Sequence, residues 1–224
     1  IIALIPTYGN RGYLDEMLAW LDASGQVDAV ELLRQDEPLG SALARRTLIE
    51  QATAKYGYDH HYLMLDDDCK FNRFSRIRKA AAILEIETDI GLVSFPLGGI
   101  IQQGYVEQTI VKHCWLMSGR LLQAGANYTP GELYDSLDMC IQSYLLGYRN
   151  VITKEAIIWH DVMRDTSIRW RLVAEGKQTA QSGIRDRYAN YIECLQEPYA
   201  VKFTSVAIEL HNSCNNILKQ WQGQ

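Results

Sequence analysis

Short apolar runs that each stop at a polar turn, with helical spacing between them, limit what residues 1–95 can fold into. Ile1 to Ile5 is such a run, ended by Pro6-Thr7-Tyr8-Gly9-Asn10. Leu14, Met17, Leu18 and Leu21 then recur at helical intervals. A second strand, Ala29 to Leu33, stops at Asp36-Glu37-Pro38-Leu39-Gly40, and the helix after that glycine carries Leu43, Thr47, Leu48 and Ala52 along one face. Tyr62-Leu63-Met64-Leu65 runs directly into Asp66-Asp67-Asp68. Ile77, Ala80, Ala81 and Leu84 mark another helix, and Gly91 to Phe95 another strand. Strand alternating with helix predicts an α/β doubly wound sheet, largely parallel. Ligands of such sheets sit outside the carboxyl ends of the strands, so the Pro6 turn, Asp36-Glu37 and the aspartate triplet should share one crevice.

Beyond this the pattern loosens. Gly98 to Met117 is glycine-broken and predicts loops and irregular strands. Leu137, Ile141, Tyr144 and Leu145 form an amphipathic helix stopped by Gly147, and Val151-Ile152 and Ala156 to Trp159 are strand candidates. Phe203, Val206, Leu210, Ile217 and Trp221 keep a helical face to the end. The expected organisation is a main α/β domain over 1–161 and a helical C-terminal extension over 162–224 packed on it. No apolar stretch is long enough to span a bilayer, and the opening run is too short for a signal peptide, so no membrane partner is expected. Cys69, Cys114, Cys140, Cys194 and Cys214 occur singly without a C-x-x-C pair, which argues against zinc or a disulfide framework and suits a reducing, cytoplasmic interior.

The aspartate triplet is the sharpest chemical signal. Adjacent carboxylates at the end of an apolar strand repel one another, and a cap or turn would need only one. Mg²⁺ or Mn²⁺, a hard ion taking carboxylate and phosphate oxygens, would relieve the repulsion; the bland alternative is a solvated acidic turn. Gly40 to Arg46 opens a helix whose free N–H groups and early Arg45 could receive a phosphate, or is an ordinary surface arginine pair. Neither a P-loop nor a G-x-G-x-x-G motif is present. Asp135 and Asp138, one turn apart, are either a helix cap with an acid in its first turn or the base beside an acceptor hydroxyl. His160 follows a strand and is a candidate metal ligand or phosphate contact, whereas His60 and His61 read as surface residues. Two basic runs stand out against a net charge of -5: Lys70, Arg73, Arg76, Arg78 and Lys79, and a second from Arg164 to Arg187. Most such runs are solvated faces.

In order, these segments resemble the GT-A glycosyltransferases, family-2-like. The matching pieces are Pro6-Thr7-Tyr8, Gly40 to Arg46, Leu63 to Asp68 as a D-x-D motif, Trp115 to Gly119, Asp135 to Cys140 with Leu146 to Arg149, and Trp159-His160-Asp161. The resemblance implies a Rossmann-like mixed sheet and a nucleotide-diphosphate sugar donor, UDP-glucose being the expected one. It further implies donor contacts from Pro6, Thr7, Tyr8, Arg11, Asp36, Arg45, Asp66 and Asp67. Mn²⁺ or Mg²⁺ would be held by Asp66, Asp68 and His160, and Asp135 or Asp138 would act as base. The family's acidic pair is often Glu-Asp, but Ser136 follows Asp135 here, which leaves Asp135 the better base and Asp138 its rival. Leu39 to Arg46 followed by Leu65 to Phe71 is similar to the phage glycosyltransferases associated with TET/JBP-type oxygenases. That likeness implies an enzyme of the host cytoplasm acting on 5-hydroxymethylpyrimidine in double-stranded DNA, with Arg73, Arg76, Arg169, Arg171 and Arg185 on the DNA side. A saccharide or cell-envelope acceptor, or a non-catalytic nucleotide-sugar binding domain, are the competing readings.

Overall fold

Side-chain alternation along the first strand sets the layering. Ile2 and Leu4 enter one apolar cluster and Ala3 and Ile5 the other, all almost free of solvent. The computed structural model describes residues 1–8, 12–37, 39–72, 74–95, 104–108, 111, 114–130, 135–156 and 158–160. Within them the order is β1 (Ile2–Tyr8), α1 (Gly12–Ser24), β2 (Ala29–Gln35), α2 (Ser41–Tyr56), β3 (Tyr62–Met64), β4 (Cys69–Phe71), α3 (Ile77–Ile86), β5 (Ile90–Ser94), β6 (Tyr105–Glu107), β7 (Trp115–Met117), α4 (Gly119–Gln123), α5 (Asp135–Leu145), β8 (Arg149–Thr153) and β9 (Ile158–His160). The Ala3/Ile5 face is covered by Leu14, Met17 and Leu21 of α1 and by Ile77, Ala80, Ala81 and Leu84 of α3. The opposite face is covered by α2, α4 and α5 through residues such as Leu48, Leu121 and Met139. Helices on both faces of one sheet give the expected α/β class.

The seven-stranded sheet has the order β2-β1-β3-β7-β5-β8-β6. β1 runs parallel to β2 and β3, and β5 parallel to β8. β7 is antiparallel to both β3 and β5, and β6 is antiparallel to β8. The sheet is therefore mixed rather than largely parallel. The cause is β7, a buried three-residue strand from the glycine-broken stretch that folds back between β3 and β5. Because β7 is reversed, its first residue, Trp115, pairs with Met64 and Ser94, at the carboxyl ends of β3 and β5. A separate antiparallel pair, β4 with β9, lies beyond that edge in sequence and sets Cys69 opposite His160. The extension over 162–224, and with it the boundary at residue 161, lies outside the described residues.

On α2 the buried positions are Ala42, Ala44, Arg45, Leu48, Ile49 and Ala52. Leu43 and Thr47, expected on the apolar face, are only half-buried. Arg45, Leu48, Ile49 and Ala52 follow i, i+3, i+4, i+7 spacing, which places the arginine on the core stripe.

Candidate active site

The triplet begins where β3 ends. Leu65 donates its backbone N–H to Leu4 O at 3.0 Å, which extends the β1–β3 pairing by one step, and Cys69 N–H reaches Asp66 O at 3.3 Å to close the turn into β4. Thr7, near the end of β1, donates its hydroxyl to Asp67 Oδ2 at 2.7 Å, and both side chains are buried. Asp67 is thus anchored to the neighbouring strand, while Asp66 and Asp68 on either side are half-buried.

Arg45 reaches this turn from α2. It is 4% exposed and donates through Nη2 to Asp66 and through Nη1 to Asp135 at the start of α5. Its guanidinium carbon lies 5.7 Å from the centre of the buried Tyr128 ring. Burial by itself would lower the arginine's pKa, but Asp135 and then Asp66 outweigh it and hold the guanidinium charged. Burial pushes the Tyr128 hydroxyl well above its ordinary range despite the opposing Arg45, so it stays neutral. Arg45, read from sequence as a phosphate contact, here engages two carboxylates of its own chain.

Asp138, also buried, accepts from Thr129 N–H at 3.1 Å and from Gln142 Nε2 at 3.0 Å. Gln142 in turn bonds Asn127 O at 2.7 Å and receives Asn127 N–H at 3.0 Å. These bonds fasten the segment before α5 to the helix. Asp135 and Asp138 are therefore differently placed, the first facing the triplet through Arg45 and the second holding a loop.

Carboxylate oxygens at Asp66 and Asp68 match the donor chemistry of Mn²⁺ or Mg²⁺, whose remaining positions a diphosphate and water would fill. β9 sets His160 across from Cys69, next in chain to Asp68. The described His, Cys, Asp and Glu side chains whose ligand atoms do converge, within 4.8 Å of one another, are Asp66, Cys69 and Cys114. Cys69 and Cys114 Sγ atoms are 2.9 Å apart. The hydrogen bond to Cys114, followed by burial, pushes the Cys69 thiol well up. Cysteines scattered singly along the sequence gave no sign of this pair, because only the β4 and β7 placements bring them together.

Of the other expected residues, Pro6 and Tyr8 are half-buried at the end of β1, and Asp36 is exposed one residue past β2. Arg76 is exposed at the start of α3 and its backbone N–H reaches Glu155 O at 2.6 Å. Its neighbours in the basic run pair with acids of the same chain: Lys70 with Glu16 at 2.6 Å, Arg78 with Asp28 at 2.6 Å and Lys79 with Glu155 at 2.9 Å. His60 and His61 are half-buried rather than surface residues, and burial lowers the His61 pKa. Arg11, Arg73, Arg169, Arg171 and Arg185 lie outside the described residues, as does the His160 side chain. Among the described residues no helix is long and apolar enough to cross a membrane.

Neither a protein-family model nor a curated protein matches the chain by sequence. Solved structures do match in fold. TarS 1–349 of S. aureus in complex with UDP-GlcNAc superposes with a TM-score of 0.61 at 15% identity, covering 95% of this chain and 72% of that one. The mannosyltransferase PcManGT from Pyrobaculum calidifontis, in complex with GDP-Man and Mn²⁺, gives 0.57 at 15% identity, covering 99% and 79%. Against the longer TarS chain the match covers 70% of this chain and 36% of that one, at a TM-score of 0.50. The mixed sheet, with helices on both faces and the aspartate turn at its carboxyl edge, thus has the GT-A fold of these glycosyltransferases.

Proposed function

We propose that the chain is a metal-dependent glycosyltransferase that moves a sugar from a nucleotide-diphosphate sugar to a hydroxyl acceptor. The observation that carries this is Arg45, which ties Asp66 of the strand-end triplet to Asp135 of α5. One buried cation thereby joins Asp66, a candidate metal carboxylate, to the candidate base Asp135. The complexes of TarS with UDP-GlcNAc and of PcManGT with GDP-Man and Mn²⁺ support the donor class and a divalent cation by analogy of fold.

Asp66 and Asp68 would hold the cation, with His160 as a third candidate. The cation, when bound, offsets the charge of a departing diphosphate. Thr7 keeps the turn in place through Asp67. Asp135 would take the acceptor proton, with Arg45 fixing its orientation. For the acceptor we retain 5-hydroxymethylpyrimidine in double-stranded DNA, with UDP-glucose as donor and the cytoplasm as compartment. This finer reading is supported by the likeness over Leu39 to Phe71 and by the basic composition of 164–187. The pairing of Lys70, Arg78 and Lys79 with internal acids weighs against the first basic run as a phosphate track.

The decisive experiment is a mass-spectrometric screen of UDP- and GDP-sugars with Mn²⁺ against hydroxymethylated duplex DNA, with a glycan pool in parallel. Transfer to the DNA supports the full reading. Transfer to a glycan alone removes the DNA acceptor and keeps the enzyme. No transfer and no donor hydrolysis with any pairing leaves a nucleotide-sugar binding domain.

A further inference from the structure

We propose that Cys69 and Cys114 are an oxidisable dithiol whose closure to a disulfide pins the Asp66–Asp68 turn to the start of β7. The inference rests on the fold and does not depend on the transferase reading.

The two sulfurs lie 2.9 Å apart in a fully buried setting, 0% and 2% exposed. Non-bonded carbons settle at about 3.5–4.0 Å and sulfur is larger, so this pair is closer than two unlinked thiols prefer. A covalent bond of about 2.0 Å relieves the contact by closing it. A bridging metal would relieve it by opening. Tetrahedral zinc with Zn–S near 2.3 Å needs sulfurs roughly 3.8 Å apart and four ligands. The described residues offer three converging ligands, one fewer than tetrahedral zinc takes. The apolar residues that pack with the pair, Leu65, Ile77 and Phe95 among them, favour a neutral disulfide over a charged metal–thiolate centre.

The backbone supplies a second observation. Cys114 has φ 65, and it is the described non-glycine residue with positive φ. A side chain held in that region is strained, and such strain persists where the surroundings over-determine it. Here it accompanies the approach of the Cys114 sulfur to Cys69 across 45 residues of chain. Cys140 provides an internal contrast, since its buried Sγ lies against backbone atoms of Val111.

The chemistry balances with a peroxide as oxidant. Two S–H bonds break and one S–S bond forms. The two electrons and two protons pass to hydrogen peroxide, which leaves as two waters.

The test uses the intact, folded protein treated with hydrogen peroxide. Non-reducing peptide mapping should find a 69–114 crosslink with Cys140 still free, and dithiothreitol should reverse it. Closing so long a loop should raise the Tm of the oxidised wild-type protein by several degrees. Cys114→Ala and Cys69→Ala, run separately, should each abolish the crosslink and the Tm rise. The proposal is overturned if both thiols remain titratable in denaturant after peroxide treatment. It is also overturned if Cys69 oxidises to sulfinic acid without crosslinking, or if the purified protein carries zinc that Cys114→Ala releases.

Discussion

Arg45 on α2 donates to Asp135, 90 residues further along the chain, and its other terminal nitrogen donates to Asp66. The planar guanidinium fork reaches two carboxylates that belong to different elements, a geometry that a single ammonium cannot reproduce. Asp66 sits in the turn after β3 and Asp135 opens α5, so this one side chain links two segments far apart in the chain.

Removing that cation leaves buried Asp135 without its counter-charge. Breaking a buried ion pair on one side typically costs about 3–5 kcal/mol. Arg45→Met should therefore lower the urea midpoint by a large fraction of the total stability with little change in m. Arg45→Lys should keep the charge, recover part of the stability and still impair transfer, because it holds only one carboxylate. An Arg45→Met protein as stable as wild type would mean that the bridge contributes nothing.

Asp68→Asn should fold normally and lose transfer. Asp68 is half-buried beside an anchored neighbour, so its replacement disturbs no core packing. Loss of a carboxylate ligand should instead weaken Mn²⁺ binding. EDTA should stop the wild-type reaction and added Mn²⁺ restore it. Full turnover in the variant, or in EDTA, would remove the metal from the mechanism.

The two α5 carboxylates should separate by their effect on turnover. Asp138 accepts from Thr129 N–H and Gln142, so Asp138→Asn loses acceptor capacity in a buried network and should cost about 1–3 kcal/mol of stability. Asp135→Asn should cost turnover by about a hundredfold or more while donor KM changes little. It should also lower stability, because it removes one of the two carboxylates that balance buried Arg45. Denaturation curves and steady-state kinetics on both variants decide the assignment. A dead, stable Asp138→Asn would reverse it.

The alternation of β1, β2, β3 and β5 with α1 to α3 was legible because short apolar runs end at polar turns and the helices between them carry their period. Leu14, Met17 and Leu21, and Ile77, Ala80, Ala81 and Leu84, are buried as their spacing requires. β7 escaped because it lies at the end of the glycine-broken stretch from Gly98 and because nothing local shows a strand inserting antiparallel between β3 and β5. The triplet's position at a strand end was legible from Tyr62 to Leu65. Arg45's partners were not, since they are set by tertiary placement, although its i, i+3, i+4, i+7 relation to Leu48, Ile49 and Ala52 was available as a sign that it points inward. The approach of Cys114 to Cys69 had no local signal, because it follows from β7 being reversed.

Gly119 tests the packing at the opposite end of the sheet. β7 runs from Trp115 beside Met64 to Met117 beside Tyr62, so the residues after it emerge away from the aspartate turn. Ser118 there donates its N–H to Gly91 O at 2.9 Å and caps α4 by accepting from Leu121 N–H at 3.1 Å. These bonds press Gly119 against the turn before β3. A Cβ at Gly119 would meet Tyr58 O at 1.9 Å and His60 O at 2.5 Å, both backbone atoms that cannot swing aside. Gly119→Ala should therefore destabilise at or beyond the upper end of the usual overpacking range, about 1–3 kcal/mol. Ser118→Ala, which removes the cap without adding volume, should cost about 1–2 kcal/mol. Because the lesion is remote from Asp66 and Asp135, whatever fraction of Gly119→Ala stays folded should turn over at the wild-type rate per folded molecule. Thermal unfolding followed by an active-site-normalised assay measures both quantities, and a Gly119→Ala protein more stable than Ser118→Ala would contradict the close approach.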